Sequence, residues 1–544
     1  MLKSRLLVFL LVLLAPGFLH SQNERVGTVT VVRKNVFDVA DPAEDHVPYT
    51  WVNKLHIMTR ASVIEREVLF KSGELFDPYL VAQTERNLRG YVFLKSAAVE
   101  VRRDIPGIVD VDVRTQDSWT TDILPSFGRV GGRSTWSMHM RERNILGLGK
   151  TVELIYSKNL ERTDKSIRYI DPRLAGTRLL LDVIHENLSD GSIDRGTLGI
   201  PKYTLMTPFS MKLQGRRVIA DERMYQAGDV AYRFHRHMES FLFQAGQPLH
   251  ASSVHAFDMV LGYRALNAVY TSTHSVAGYA PPQDRRRRVV EIVLDYTEAD
   301  YVKEDFISRF DRVEDFLMGT RLSLDLGRSV RRLGSTRDEY VMGAILGRGL
   351  RLGEDSFVIA QARAAAIRSV SGFEDVIHAF SANFYAKNVL IERNTFVIHG
   401  EAARSYRLSS GQQMLLGANS GLRGYRFNAF SGTKSLLFNV ESRWFAVNDF
   451  LRVVSMAPIV FWDGGYVWPQ ERVFGISDLR QDVGVGLRFG FTRSATNPVV
   501  RFDLSYALNN EGTSDSHWLF SFGLKHAFGG ETNAAGNVFL PYDE

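Results

Sequence analysis

Cysteine is absent from all 544 residues. No disulfide can hold this chain together, and no lipid can be attached through an N-terminal cysteine. Also missing is any uninterrupted apolar stretch of ~20 residues, the length a membrane-spanning helix needs. Excess charge is small, with Lys+Arg 66 against Asp+Glu 61 for a net +5. There is no basic tail or RNP-type motif, and this balance gives no reason to expect a nucleic-acid partner. No G-x-S-x-G and no phosphate-binding P-loop occurs. The carboxylates are many but unpaired by any spacing, so neither an enzyme nor a cofactor is expected.

What is present begins with "MLKSRLLVFLLVLLAPGFLHSQ". Lys3 and Arg5 precede the apolar run Leu6–Ala15, which Pro16 and Gly17 break. This is the layout of a secretory leader over residues 1–21, with cleavage near Ser21. An exported chain without spanning helices can cross a membrane only as a closed β-barrel, because every backbone polar group must be satisfied inside the bilayer.

Residues 25–118 read as a small α+β domain. "VGTVTVVRKNVF" has strand character, and "SVIEREVLF" reads as a helix with Ser62 and Glu65 spaced as a capping box. "DPYLVAQTERNLRG" reads as a second helix, with Asp77 as N-cap, Pro78 at the first position and Gly90 at the end. Two strands, "AAVEVRR" and "GIVDVDVRT", complete a β-α-α-β-β order.

From 119 to 529 the hydrophobic period becomes two. In "DVGVGLRFGF", Val483, Val485, Leu487, Phe489 and Phe491 oppose Gly484, Gly486, Arg488 and Gly490. In "VVRFDLSYAL", Val500, Phe502, Leu504 and Tyr506 oppose Arg501, Asp503 and Ser505; in "RVVEIVLDY", Val290, Ile292 and Leu294 oppose Glu291 and Asp295. "WLFSFGLKHAF" puts Trp518, Phe520, Phe522 and Phe528 on one face. Long aromatic-rich faces opposite charge and glycine fit lipid outside and a polar lumen. The expectation is an all-β transmembrane barrel of about 16 antiparallel strands, at ~10 residues per spanning strand. A tail, 530–544, continues beyond it.

These features together resemble the BamA-like outer-membrane superfamily of barrel-assembly and two-partner-secretion proteins. Residues 25–118 are similar to one of its periplasmic POTRA modules, including "GELFDPYLVAQTERNLR" and "VDVRTQDSW"; members commonly carry two or more such modules, and this chain one. "ERNILGLGK" at 142–150 is similar to an N-x-x-G-x-G segment early in the family's barrels. "LRGY" (Leu422, Arg423, Gly424, Tyr425) resembles the family's [VI]-R-G-[FY] motif at the tip of a long sixth loop that folds back into the barrel. "FWDGG" (Phe461, Asp463, Gly465) resembles its F-x-D-x-G, and Glu441 in "FNVESRW" its acidic residue on the strand between. The resemblance implies that Arg423 pairs with Asp463, assisted by Glu441. It also implies a bacterial outer-membrane location, with the small domain in the periplasm. Expected partners are outer-membrane lipid, unfolded polypeptide clients and accessory periplasmic proteins. "SFGLKHAF" is similar to a barrel-targeting signal through Gly523 and Phe528. The strand parity of the residues agrees: Asn439, Glu441 and Arg443 fall opposite Leu436, Phe438 and Val440, and Asp463 opposite Val460, Trp462 and Tyr466. A carboxylate directed into lipid would be costly.

His235 and His237 share one strand face in "FHRHM", without a third metal ligand nearby. "GRGLRLG" at 347–353 lacks the strand-turn-helix setting of a nucleotide site and reads as a turn. Arg285–Arg288 in "PPQDRRRRVV" read as a solvated loop or as a rim contact with phosphate-bearing headgroups.

Overall fold

The computed structural model describes residues 24–524 except 160, 274, 275, 277, 496–498, 514 and 515. The expected leader at 1–21, Phe528 and the stretch 530–544 lie outside the described residues.

The N-terminal domain is a three-stranded sheet with helices on one face. Strand Ile108–Asp117 is central, parallel to Arg25–Lys34 and antiparallel to Leu94–Ile105. Alternation places Val109, Val111 and Val113 on the core side, where they are buried with Ile64, Phe70, Leu88 and Phe93. Helix Pro78–Arg89 begins as its residues dictate. Asp77 Oδ1 accepts the Tyr79 N–H at 2.9 Å, Pro78 takes the first helical position, and Gly90 ends the helix. Two points differ from the sequence reading. A further helix, Tyr49–Leu55, makes the order β-α-α-α-β-β. The helix over "SVIEREVLF" covers only Ala61–Glu65, with Arg60 rather than Ser62 at its cap and no side-chain cap bond. The chain leaves the helix because Phe70 must join the core beside Leu88, while the Leu69 N–H is taken by Thr84 Oγ1 at 3.2 Å.

The rest closes into an antiparallel barrel of twenty strands, from Thr121–Val130 to Trp518–Leu524. This corrects the expectation of sixteen. Two-residue turns at 131–132, 189–190, 227–228 and 370–371 return the chain at once, so residues allotted to long loops are spent on strands. An even number lets first and last strands pair antiparallel. "GRGLRLG" is likewise not a turn, because 347–351 continue strand Glu339–Arg351.

Alternation sorts the barrel walls. Ile123, Phe127, Met140, Leu154, Val290, Ile292, Leu326, Val485 and Phe520 are exposed on the outside, while Glu291, Asp463, Arg488, Asp503 and Ser521 are buried inside. So continuous an outward apolar surface is foreign to a water-soluble protein and matches a lipid-facing band. At the near rim, where Thr121 starts, the N-terminal domain docks; the far rim carries the turns such as 131–132 and the long connection 407–433.

Docking uses ion pairs and one shaped turn. Arg89 Nε and Nη2 reach Asp315 at 2.8 and 2.7 Å, and Arg493 Nη2 reaches Glu44 at 2.6 Å. Arg173 holds Glu67. In "ERNILGLGK", Asn144 Oδ1 accepts the Gly149 N–H at 2.7 Å and Asn144 Nδ2 donates to Thr59 Oγ1 at 2.8 Å. Asp117 Oδ2 accepts both the N–H and the hydroxyl of Thr59, at 2.7 and 3.0 Å. Thr59 thus ties the domain's central strand to the barrel's first near-rim turn.

Candidate functional site: a loop pinned inside the barrel

The connection 407–433 enters the lumen from the far rim. With twenty strands it is the eighth far-rim connection, not the sixth, because two more hairpins precede it. Apolar residues seat it first. Met414, Leu416, Leu422, Tyr425 and Phe430 form one buried cluster with Leu437, Tyr466 and Val467 of the wall. Leu416 can approach because position 465 is glycine; a Cβ there would stand 3.0 Å from Leu416 Cδ2 and 2.8 Å from the Leu436 carbonyl.

Arg423 then turns into a pocket of wall carboxylates. Its Nε donates to Asp463 Oδ2 and its Nη2 to Asp463 Oδ1, both at 2.7 Å, while Nη1 donates to Glu441 Oε2 at 2.7 Å. Its Cζ lies 3.4 Å from the centroid of the Phe461 ring. The planar fork gives coplanar two-point pairing to one carboxylate and leaves a donor for the next, a geometry that an ammonium does not reproduce. Arg423 is 1% exposed, and Glu441 and Asp463 are wholly buried. Gly424 allows the approach: a Cβ there would sit 2.6 Å from Asp482 Cβ. Tyr425 anchors the next step, its hydroxyl donating to the Gln481 carbonyl at 2.8 Å.

Further residues complete the site. Asn439 Nδ2 donates to Asp463 Oδ1 and to the Gly421 carbonyl, both at 2.7 Å, joining wall to loop. Arg443 Nε donates to Glu441 Oε1 at 2.8 Å, and Arg488 Nη1 to Asp503 Oδ1 at 2.6 Å. Ser505 Oγ donates to the Arg423 carbonyl at 3.1 Å. Arg423, Arg443, Arg488 and Arg501 pair with Glu441, Asp463 and Asp503 in one buried network, and Asp482 is buried beside it. This pairing of opposite charges is what makes burial of the paired groups tolerable. The inward parity of these residues is visible in sequence, but their pairing across strands is not.

A second segment, 299–320, enters from the near rim. Ile307 and Phe310 are fully buried. Phe310 packs edge-on to Phe445 at 5.0 Å, and the Ile307 carbonyl accepts Arg443 Nη1 at 2.8 Å. Gly349 and Gly490 give it room, since Cβ atoms there would meet Met318 Cα at 2.6 Å and Phe310 Cδ2 at 2.1 Å. The far-rim loop and the near-rim segment therefore meet through Arg423, Glu441 and Arg443. A cavity of about 400 Å³ remains beside the far-rim loop, lined by Arg216, Arg236, Tyr225 and Ser409 among others.

Last, the barrel closes between its first and last strands. Phe522 of Trp518–Leu524 pairs with Arg129 of Thr121–Val130 across this closure, antiparallel.

Its structural neighbours include BamA and CdiB. The BamA structure, from Haemophilus ducreyi and lacking POTRA domains 1–3, shares 11% identity at TM-score 0.38, over 91% of this chain and 84% of that one. CdiB from Escherichia coli shares 12% at TM-score 0.44, over 92% and 76%, and CdiB from Acinetobacter baumannii 10% at 0.40, over 92% and 74%. No protein-family model and no curated protein matches the chain.

The remaining sequence candidates fall elsewhere. Gly523 lies in the last described strand, near the seam, and Phe528 beyond it. His235 and His237 face carboxylates, Nδ1 to Asp221 Oδ1 at 3.0 Å and Nε2 to Glu239 Oε1 at 3.7 Å; no three-ligand metal cluster occurs among the described residues. Arg285 pairs with Asp375 at 3.3 Å and Arg287 with Glu339 at 3.0 Å on the inside, while Arg286 and Arg288 lie on the outer face.

Proposed function

We propose that this chain is an outer-membrane barrel of the BamA-like kind that inserts or translocates other polypeptides through its closing seam, with 407–433 latched in the lumen by Arg423. One observation carries the reading: the lumen is occupied from both rims by buried segments, 407–433 and 299–320. A route for a client is then lateral, along strand edges, rather than down an open pore. Separated edges would offer unpaired N–H and C=O groups to an incoming strand. The N-terminal domain acts as a POTRA-like periplasmic module. Its strand Leu94–Ile105 is an outer strand of the sheet, with Val101 and Ile105 exposed, and suits β-augmentation by an unfolded client. The latch keeps the wall Lys434–Trp444 and Val454–Trp468 in register with the loop while the seam opens.

Quantitative proteomics of outer-membrane and secreted fractions tests this, comparing cells with the protein, without it, and with Arg423→Ala. Joint loss of many barrel proteins in both deficient strains is expected. Loss of a single exported protein would instead make it a dedicated two-partner-type exporter. Unchanged fractions with a large steady conductance would make it a passive channel.

A further inference from the structure

Six arginines on the outside of the far rim have no part in the latch. Arg286 and Arg288 start strand Arg285–Glu298; Arg328 ends strand Arg321–Ser329; Arg331 and Arg332 form the turn that follows; Arg368 lies on strand Ser356–Ser369. The fold gathers them. Arg328 pairs in register with Tyr340, Tyr340 with Arg368, and Arg368 with Phe373, forming one outward row. The turn folds back on the first strand: the Thr336 N–H donates to the Arg286 carbonyl at 2.8 Å, and the Arg288 N–H to Ser335 Oγ at 2.9 Å.

None of the six makes an ion pair among the described residues. The nearby carboxylates are engaged elsewhere. Asp375 and Glu339 take Arg285 and Arg287 inside, Glu374 takes Arg337 at 2.6 Å, and Asp338 accepts the Arg331 backbone N–H at 2.8 Å. Arg288 binds the Leu266 carbonyl and Asn267 Oδ1 at 3.0 and 2.8 Å. Arg328 and Arg368 lie over the Tyr340 and Phe373 rings at 5.2 and 5.1 Å. Directly below, on the same strands, come Val290, Ile292, Leu324, Leu326 and Leu346, all exposed. A different stretch of the outer face shows the contrast, because there Arg217 faces Glu239 and His185 meets Asp194.

We infer that this patch binds the phosphate groups of an outer-leaflet lipid, with the acyl chains lying along the apolar band beneath. Guanidinium forks match phosphate oxygens two at a time, and the patch contains arginine only, without lysine. The flanking Tyr340 and Phe373 fit the headgroup boundary, where aromatic rings concentrate. Uncompensated cations held at the height where the apolar wall ends have phosphate as their natural counter-charge. The inference rests on the membrane reading above.

The test reconstitutes the full-length protein into phosphatidylcholine vesicles containing either a diphosphorylated glucosamine-disaccharide lipid or its dephosphorylated form. Lipid retained per protein after detergent extraction is measured by mass spectrometry. The expected result is selective retention of the phosphorylated lipid. It should weaken roughly a hundredfold in Arg328→Gln/Arg331→Gln/Arg368→Gln, as three cations near the surface each lose a phosphate contact. Arg217→Gln should leave it unchanged. Equal retention of the two lipids, or no loss in the triple variant, overturns the inference while insertion into the vesicles leaves the membrane reading standing. Displacement by inorganic phosphate at equal phosphate concentration would make this a soluble-anion site and overturn the lipid assignment. Failure to insert into any vesicle overturns both.

Discussion

Replacing Arg423 by alanine removes three side-chain hydrogen bonds to two buried carboxylates and the contact with the Phe461 face. Breaking a buried pair from one side costs ~3–5 kcal/mol, because the partner stays behind uncompensated. Here the lower end applies. Glu441 keeps Arg443 at 2.8 Å and Arg488 at 3.5 Å, and Asp463 keeps Asn439 at 2.7 Å. A loss of about 3 kcal/mol raises the population of the unseated loop roughly a hundredfold. Because the chain has no cysteine, one reporter thiol reads this directly. Ala418 is 5% exposed within the loop, so Ala418→Cys should react slowly with a maleimide and roughly a hundredfold faster when Arg423→Ala is added. Arg423→Lys should fall between, keeping the charge but losing the fork. Arg426 is the control. Its ion pair among the described residues is with the exposed Asp229, at 3.0 Å, a surface pair of ~0–1 kcal/mol, so Arg426→Ala should change the rate a few-fold at most. Equal labelling rates in Arg423→Ala and Arg426→Ala would refute the latch and leave Leu422, Tyr425 and their apolar neighbours as what holds the loop.

Gly424→Ala should also unseat the loop, by roughly 1–3 kcal/mol of overpacking against Asp482 Cβ at 2.6 Å; an unchanged thiol rate would show that the loop yields without cost. Burial pushes the Asp117 carboxyl up to about 6. Between about pH 4 and pH 6 the unfolded chain has lost this proton while the folded chain keeps it, so the folded N-terminal domain should lose stability as pH rises through that window, by on the order of 3 kcal/mol, and level off above it. Hydrogen exchange at the Thr59 amide, corrected for intrinsic rates, should show this decline, and Asp117→Asn should flatten it; protection that grows with pH would contradict the argument. A disulfide between Arg129→Cys and Phe522→Cys, which are directly paired across the seam, should form on oxidation and abolish client insertion until reduced. Full activity with the disulfide closed would place the client's path elsewhere.

Residues 422–425, 441 and 463 stood out in sequence because parity and motif spacing agreed on them. Asn439 and Arg443 were visible as inward-facing, yet the bond from Asn439 to the Gly421 carbonyl joins residues on different elements. Arg488 and Asp503 show the same limit. Each lies on the polar face of its strand, but their 2.6 Å contact depends on Gly486 registering with Asp503 across the hairpin. Segment 299–320 was missed entirely. Its signal was the break in alternation between Glu298 and Arg321, with Phe306 and Phe310 in a connection that a solvated turn would not need. The count of sixteen failed for a related reason, since strand number depends on how little chain each turn consumes.

The sequence by itself determined the material of each wall. Side chains alternate with every residue along a strand, so which of them face lipid and which face the lumen follows from local parity wherever the strand is recognised. The glycine at 424 and the cap of helix Pro78–Arg89 are local in the same sense. Only the tertiary structure decided that the far-rim loop and the near-rim segment meet at Glu441, that six arginines gather outside one edge of the barrel, and that Phe522 of the last strand comes to lie beside Arg129 of the first. Those outcomes depend on the register and closure of twenty strands, where a change in one turn shifts every later neighbour, and no short stretch of chain carries that information.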